Sequence, residues 1–384
     1  MRISLFSAAL VASLIGYGST IALVMAAAAA LGATPAQTAS WVLAVCLTKG
    51  LGSALLSIWA RVPVSLAWST PGAALLAVTT GVNMPEAVGA FLLTGALIAL
   101  TGLLKPLARL IATIPDGIAA GMLAGVLLPF CLQLAPATAD LPALVLPMIA
   151  AFALVRLANP ALAVLAALAT GLGLAYLTGT ASAPDLALPW PQLTYIAPTF
   201  RIEVLLGLGL PLYLVTMASQ NLPGFATLRA AGYAPPVRRA LAVTGGLSML
   251  AGLFGGHTSN MAAITAAICM GDDVHPDRNQ RWKVGLVYGS CWVALGLLSP
   301  MLLVIIAALP GALIAAIVGL ALLAPLTGAL TNAFGTPAQR FPAAVTLIVS
   351  ASGVSAFGIG AAFWGLSAGL AVFLLEQGAA RVRR

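Results

Sequence analysis

The chain has 384 residues, of which 61% are apolar and only 7% charged, and its mean hydropathy is +1.08. A soluble domain carries roughly 25% charged residues, so this composition excludes a water-solvated enzyme or nucleic-acid-binding domain and requires lipid as the solvent. The net charge of +8 comes from basic residues set singly at the ends of apolar runs, where they bear on orientation in a membrane rather than on nucleic acid.

A spanning helix needs about 20 mainly apolar residues, and runs of that length follow one another along the chain. The first is 5–31. Its start, Arg2 before an apolar stretch, resembles a secretion signal, but the run continues unbroken to Leu31 and is expected to stay as an uncleaved span. The next six are 36–60, 62–80, 86–104, 110–134, 141–157 and 161–178. A polar, proline-rich connection occupies 179–199. Seven further runs follow at 200–222, 238–256, 257–270, 283–307, 310–334, 340–357 and 359–376. The expected fold is an all-α polytopic membrane protein of fourteen transmembrane segments. Cys46, Cys131, Cys269 and Cys291 are scattered through apolar runs without metal or redox spacing, and are expected to pack as small apolar side chains.

With the N-terminus inside, 15 of the 17 basic residues fall on cytoplasmic ends, Arg2, Arg61, Lys105, Arg109, Arg156 and Arg229 among them; Arg201 lies outside and Lys49 within a span. That asymmetry places both termini in the cytoplasm. Seven segments on each side of 179–199 would insert the second half upside down relative to the first. A faint echo supports duplication: Ser69-Thr70-Pro71-Gly72 lines up with Thr258-Ser259-Asn260-Met261, and Ile114-Pro115 with Leu309-Pro310. Residues 1–178 are therefore expected to form one inverted repeat and 200–384 the other, with a binding site where interrupted spans meet.

Segments 3 and 10 are those interrupted spans. In Val62-Pro63-Val64-Ser65-Leu66-Ala67-Trp68-Ser69-Thr70-Pro71-Gly72 an extended stretch meets two hydroxyl residues, and in Gly255-Gly256-His257-Thr258-Ser259-Asn260-Met261 a glycine-rich stretch does. Ser and Thr cap helices and proline suits the first turn. Two half-helices are therefore expected, each turning free N–H groups toward an anion; two kinked helices packed by Ser and Thr are the alternative. His257 titrates near neutrality when unperturbed and is a candidate for the coupled proton, or else a neutral histidine bonded to backbone. Lys49 either snorkels, pairs with a carboxylate or meets the substrate. Asp116 reads as an N-terminal charge on segment 5. Gln220 and Asn221 need partners in an apolar span, from neighbouring helices or from a ligand. The loop Gly271-Asp272-Asp273-Val274-His275 reads as solvated rather than as a metal site. Nucleotide-binding and hydrolytic motifs are absent, and no cofactor or metal is expected.

In the stretches PVSLAWSTPGAALL (63–76), MASQNLPGFATLRAAGY (217–233) and FGGHTSNMAAITAAICMGDD (254–273) the chain resembles the bacterial benzoate:proton symporter family. The resemblance implies the fold shared by nucleobase:cation symporters and sulfate and bicarbonate carriers. In that fold a core domain (segments 1–4 and 8–11) moves against a gate domain (segments 5–7 and 12–14), commonly in homodimers. Nucleobase carriers place carboxylates at positions that align here with Gln220 and His257, a change suited to an anionic substrate. The function so implied is proton-coupled uptake of benzoate or a related aromatic carboxylate across the bacterial inner membrane. Ser69, Thr70, Thr258, Ser259 and Asn260 would hold the carboxylate, Leu66 and Trp68 would face the ring, and Gln220 and Asn221 would complete the polar end. Trp68 as ordinary packing is the alternative, and a carrier of another anion or nucleobase, or an anion channel, remains the competing function.

Overall fold

The computed structural model describes residues 3–104, 115–160, 162–181, 190–262, 264–271, 274–354, 356–357 and 359–382. It is a bundle of helices, and several start where the sequence supplies both a cap and a proline. Helix α3 (Pro35–Ala60) begins at Thr34, whose hydroxyl accepts from the Gln37 N–H while the Gln37 side chain accepts from the Thr34 N–H; Arg61 ends it in the left-handed region at φ 53°. Helix α5 (Met84–Leu103) repeats the device with Asn83 and Glu86.

Before α3 come α1 (Ile3–Gly18) and α2 (Ile21–Ala30), which together make one span, Ser4–Ala30, with a turn at Ser19-Thr20. Between α3 and α5 lie strand β1 (Leu66–Trp68) and the half-helix α4 (Thr70–Ala77). Next are α6 (Asp116–Leu132), α7 (Leu134–Asp140), α8 (Pro142–Ala158) and α9 (Ala163–Leu177). Asp116 opens α6 and is exposed, as a helix-start charge should be. The residues before it, Lys105, Arg109 and Ile114 among them, lie outside the described residues, as do Asp272 and Asp273.

Helix α10 (Ile202–Arg229) is longer than expected and passes beyond Leu222 to the basic end. It holds two π-helical stretches, Leu205–Gly209 and Met217–Asn221. Then come α11 (Val237–Gly252), strand β2 (Ser259–Met261), the single turn α12 (Ile264–Ile268), α13 (Val284–Leu297), α14 (Ser299–Ala307), α15 (Gly311–Gly335), α16 (Arg340–Ala351) and α17 (Ala361–Val382). Among the described residues seven helices are long and apolar enough to cross a membrane, and the pair Arg278–Leu297 and Ser299–Ala307, bent by 59°, makes an eighth.

Lipid tails give helices no hydrophobic reason to associate, so close packing of small residues must do it. A Cβ on Gly50 of α3 would lie 2.6 Å from the Gly289 carbonyl of α13, and one on Gly289 would lie 2.5 Å from that of Gly50. Gly95 and Gly245 bring α5 and α11 together in the same way, and Gly121 and Gly125 join α6 to α16. A separate apolar cluster of α8, α9 and the start of α15 includes Val145, Met148, Ala167 and Leu313.

Between the halves, the irregular stretch from 190 to 201 is tied across the helix ends. Thr194 N–H donates to Ser40 Oγ, Ile196 N–H to the Leu253 carbonyl and Thr199 N–H to the Pro85 carbonyl. Arg201 forms an ion pair with Glu86 at 2.8 Å.

Gly289→Leu should separate α3 from α13 and destabilise the protein by about 1–3 kcal/mol or more, the usual range for overpacking. Gly328→Leu on α15 meets nothing within 4 Å and should leave stability unchanged. Thermal midpoints of the detergent-solubilised proteins, read by size exclusion after heating, check both.

Candidate functional site: a buried strand pair and its half-helix

Strands β1 and β2 run antiparallel with Leu66 opposite Met261, Ala67 opposite Asn260 and Trp68 opposite Ser259. Both strands are almost fully buried, so every backbone group that does not bond across the pair needs another partner. The helices behind supply them. Ser53 Oγ on α3 accepts from the Leu66 N–H at 2.9 Å, and the Tyr288 hydroxyl on α13 donates to the Leu66 carbonyl at 2.9 Å. On the other edge Ser248 of α11 accepts from the Ser259 N–H and donates to the Ser259 carbonyl, while the Asn221 side-chain oxygen accepts from the Met261 N–H at 3.0 Å.

The chain leaves β1 through Ser69, whose hydroxyl caps α4 by accepting from the Gly72 N–H at 3.0 Å. Ala73 N–H bonds to the Ser69 carbonyl and Pro71 has no N–H, which leaves Thr70 as the backbone donor at the helix start. Hydroxyls crowd this point. Thr216 of α10 donates to Ser69 Oγ and shares a hydrogen bond with Thr258, both at 3.2 Å, and Thr70 meets Thr20 at 2.8 Å in the break between α1 and α2. Thr258 in turn donates to the Asn260 side-chain oxygen, and Ser259 meets Thr48 of α3 at 3.0 Å. Gln220, in the π-helical stretch facing α6, is half-buried and makes no side-chain hydrogen bond among the described residues.

His257 is fully buried and engaged at both ring nitrogens. The Trp41 indole N–H donates to Nδ1 at 2.9 Å, so Nε2 carries the proton and donates to the Ser69 carbonyl at 3.2 Å. On the far side of β1, Trp68 donates its indole N–H to the Gly16 carbonyl and packs against Tyr17 and Trp292. Lys49 Nζ stands over the faces of Trp68 and Trp292, 3.6 and 3.1 Å from the ring centroids.

A profile of the family described as benzoate membrane transport protein matches residues 1–375. The chain belongs to that family. It is 42% identical over 363 residues to the inner membrane protein YdcO of Escherichia coli, spanning 94% of this chain and 93% of that protein. It is 34% identical over 370 residues to the benzoate membrane transport protein of Acinetobacter baylyi, spanning 96% and 94%. Among solved structures it resembles the transmembrane domain of the cyanobacterial bicarbonate transporter BicA, with TM-score 0.62 and 14% identity over 96% of this chain and 98% of that one. It also resembles the murine Solute Carrier 26 family member A9 anion transporter in the inward-facing state, with TM-score 0.62 and 12% identity over 97% of this chain and 68% of that one. The chain is therefore a multi-pass membrane transporter, not an enzyme.

In this benzoate-transport family member the residues singled out in the sequence converge on one place, with three changes of part. Thr258 and Ser259 do not cap a helix: strand pairing takes the backbone through 259–261, and the described part of α12, Ile264–Ile268, lies beyond it. Among the described residues, α4 presents its helix start to the site. Asn221 is occupied by the Met261 N–H, which leaves Gln220 as the amide open to a ligand. Leu66 and Trp68 point toward α1, α3 and α13, whose Tyr17 and Trp292 enclose Trp68, and Leu66 is fully buried there. Ser53, Ser248, Trp41 and Trp292 were not foreseen. A lone serine in an apolar helix looks like any small packing residue, and only the strands reveal its task.

A cavity of about 70 Å³ lies beyond the C-terminal end of α4, between Val78, Thr79, Gly125, Val126, Gly207 and Ser350. A cavity of about 150 Å³ accepts benzene, so this one is too small for an aromatic ring.

Ser248→Ala should orphan the Ser259 N–H at the strand edge. A buried unpaired backbone group costs about 1–3 kcal/mol, and the thermal midpoint in detergent should fall accordingly. Ser290→Ala, which removes an exposed hydroxyl bonded within its own helix, should not lower it.

Proposed function

We propose that the protein is a secondary transporter of the bacterial inner membrane that takes up benzoate, or a related aromatic carboxylate, together with a proton. The observation carrying this reading is the polarity of the strand–half-helix junction. The Thr70 N–H and the hydroxyls of Thr20, Thr70, Thr216 and Thr258 gather there, and no Asp or Glu lies on β1, α4, β2 or α12. A carboxylate there would meet donors and the positive end of a helix without like-charge repulsion. The relative named as a benzoate transport protein supports the substrate class. In this reading Ser69, Ser259, Asn260, Asn221 and His257 hold the junction in shape, and Thr70, Thr258 and Gln220 touch the substrate.

The wider arrangement belongs to the same proposal: fourteen segments in two inverted repeats, 1–178 and 200–384, both termini cytoplasmic, and a core of segments 1–4 and 8–11 moving against a gate of segments 5–7 and 12–14 within a homodimer. The location of the cavity between α4 and α10 on one side and α6, α16 and α17 on the other supports a division along that line.

Two measurements test the proposal. Purified protein should bind benzoate at least tenfold more tightly than benzamide, which has the same ring without the charge; equal binding, or preference for uracil, would remove the aromatic-acid assignment. Single cysteines introduced at 190–195 should react with impermeant reagents from the periplasm, and those at 231–237 only from the cytoplasm. The opposite pattern would overturn the inverted repeat.

A further inference from the structure

Lys49 lies near the middle of α3, is fully buried, and its Nζ has no hydrogen-bond partner among the described residues. Two indole faces hold it. Tyr17 stands against both rings, with centroids 5.6 Å from Trp68 and 6.2 Å from Trp292, and its hydroxyl is also unpartnered. The titratable neighbours are Cys46 one turn earlier on α3 and His257 from the stretch before β2, with Tyr17 of α1 and Tyr288 of α13 against the same indoles. Strands β1 and β2 contribute none, and the arginines of α11 sit at its far end, where Arg239 stacks on Trp59. Neither α1, α3, α11, α13 nor either strand carries an Asp or Glu.

A permanent ammonium in such a place would have only two π faces to balance it, against the expense of a charge in the membrane interior. We propose that Lys49 is the group that carries the coupled proton, uncharged while the site is empty and protonated when a carboxylate occupies the start of α4. The proposal rests on the aromatic-carboxylate reading above. The link between the two positions is short: Trp68, on which Lys49 stands, is followed by Ser69, the cap of α4, and His257, within electrostatic range of Lys49, donates to the Ser69 carbonyl. The arriving anion supplies the counter-charge that α3 lacks, and the ammonium supplies one to the anion, so each favours the other. The Lys49 lone pair takes a proton from hydronium, leaving water, and returns it to water on the other side. Carboxylate and ammonium cross as a neutral pair, one proton per substrate. His257 is unsuited to this task, because a proton on Nδ1 would displace the Trp41 N–H; it is a positioning residue.

The test uses purified full-length protein in detergent, with indole fluorescence followed as pH is raised, with and without benzoate. Trp68 and Trp292 should report one titration in the wild type, moved to higher pH by benzoate, and benzoate affinity should fall about tenfold per pH unit above it. Lys49→Arg, with a fixed charge, and Lys49→Gln, with none, should each lose the titration and the pH dependence of binding, whereas His257→Gln, which removes a support of the junction and lowers affinity, should keep the titration. Persistence of the titration in either lysine variant, or its loss in His257→Gln alone, overturns the proposal. A titration that depends on Lys49 but ignores benzoate overturns the substrate reading and the coupling with it, and leaves the proton on Lys49. In unbuffered solution, benzoate binding to the wild-type protein at a pH between the two titrations should take up one proton per substrate, and uptake of none overturns the assignment.

Discussion

Peptide groups that leave a helix inside hydrocarbon have no water to turn to, and that constraint organises the centre of this protein. Two three-residue strands can close only the edges that face each other. The outer edges are closed by side chains from four other elements: Ser53 of α3, Tyr288 of α13, Ser248 of α11 and Asn221 of α10. These helices must then approach the strands closely, and the glycine contacts between α3 and α13 and between α5 and α11 make that possible. Packing of the bundle and satisfaction of the strands are one requirement seen from two sides.

The same economy governs charge. The ionised groups seen in the ion pairs, Glu86, Arg201 and Glu203, lie at helix ends or in the connection, while the region around the strands relies on hydroxyls, amides and indole faces. A cluster of neutral donors can accept an anion and let it go again. A fixed carboxylate would repel the anion, and a fixed ammonium would bind it without release. An amine that changes charge with occupancy avoids both failures.

Much of this was legible in the sequence because the membrane makes two signals strong. Apolar length marks the spans, and polar residues in the wrong place mark their interruptions, so segments 3 and 10 stand out, and Ser69, Thr258 and His257 lie together in the structure. What was not legible depends on pairing across 195 positions. Thr258-Ser259 reads as a helix cap locally, and only the opposite strand explains why the backbone stays extended to Met261. Lys49 was visible as an expensive charge, but its cage combines Trp68 and Trp292 from distant parts of the chain, and no local pattern announces that.

The distance between the two strands also has a consequence during synthesis. Leu66 leaves the ribosome 195 residues before its partner Met261, and at about 5–20 residues per second that interval is roughly 10–40 s. For that time β1 sits in the membrane as half of a sheet. Its outer edge is provided for in part, since Ser53 and Ser57 from the preceding helix bond to the Leu66 and Val64 N–H groups while the Leu66 carbonyl waits for Tyr288. The inner edge has nothing from its own half to pair with. The nascent first half is therefore a waiting intermediate with one unsatisfied face, and the cell must shelter that face until the second strand arrives.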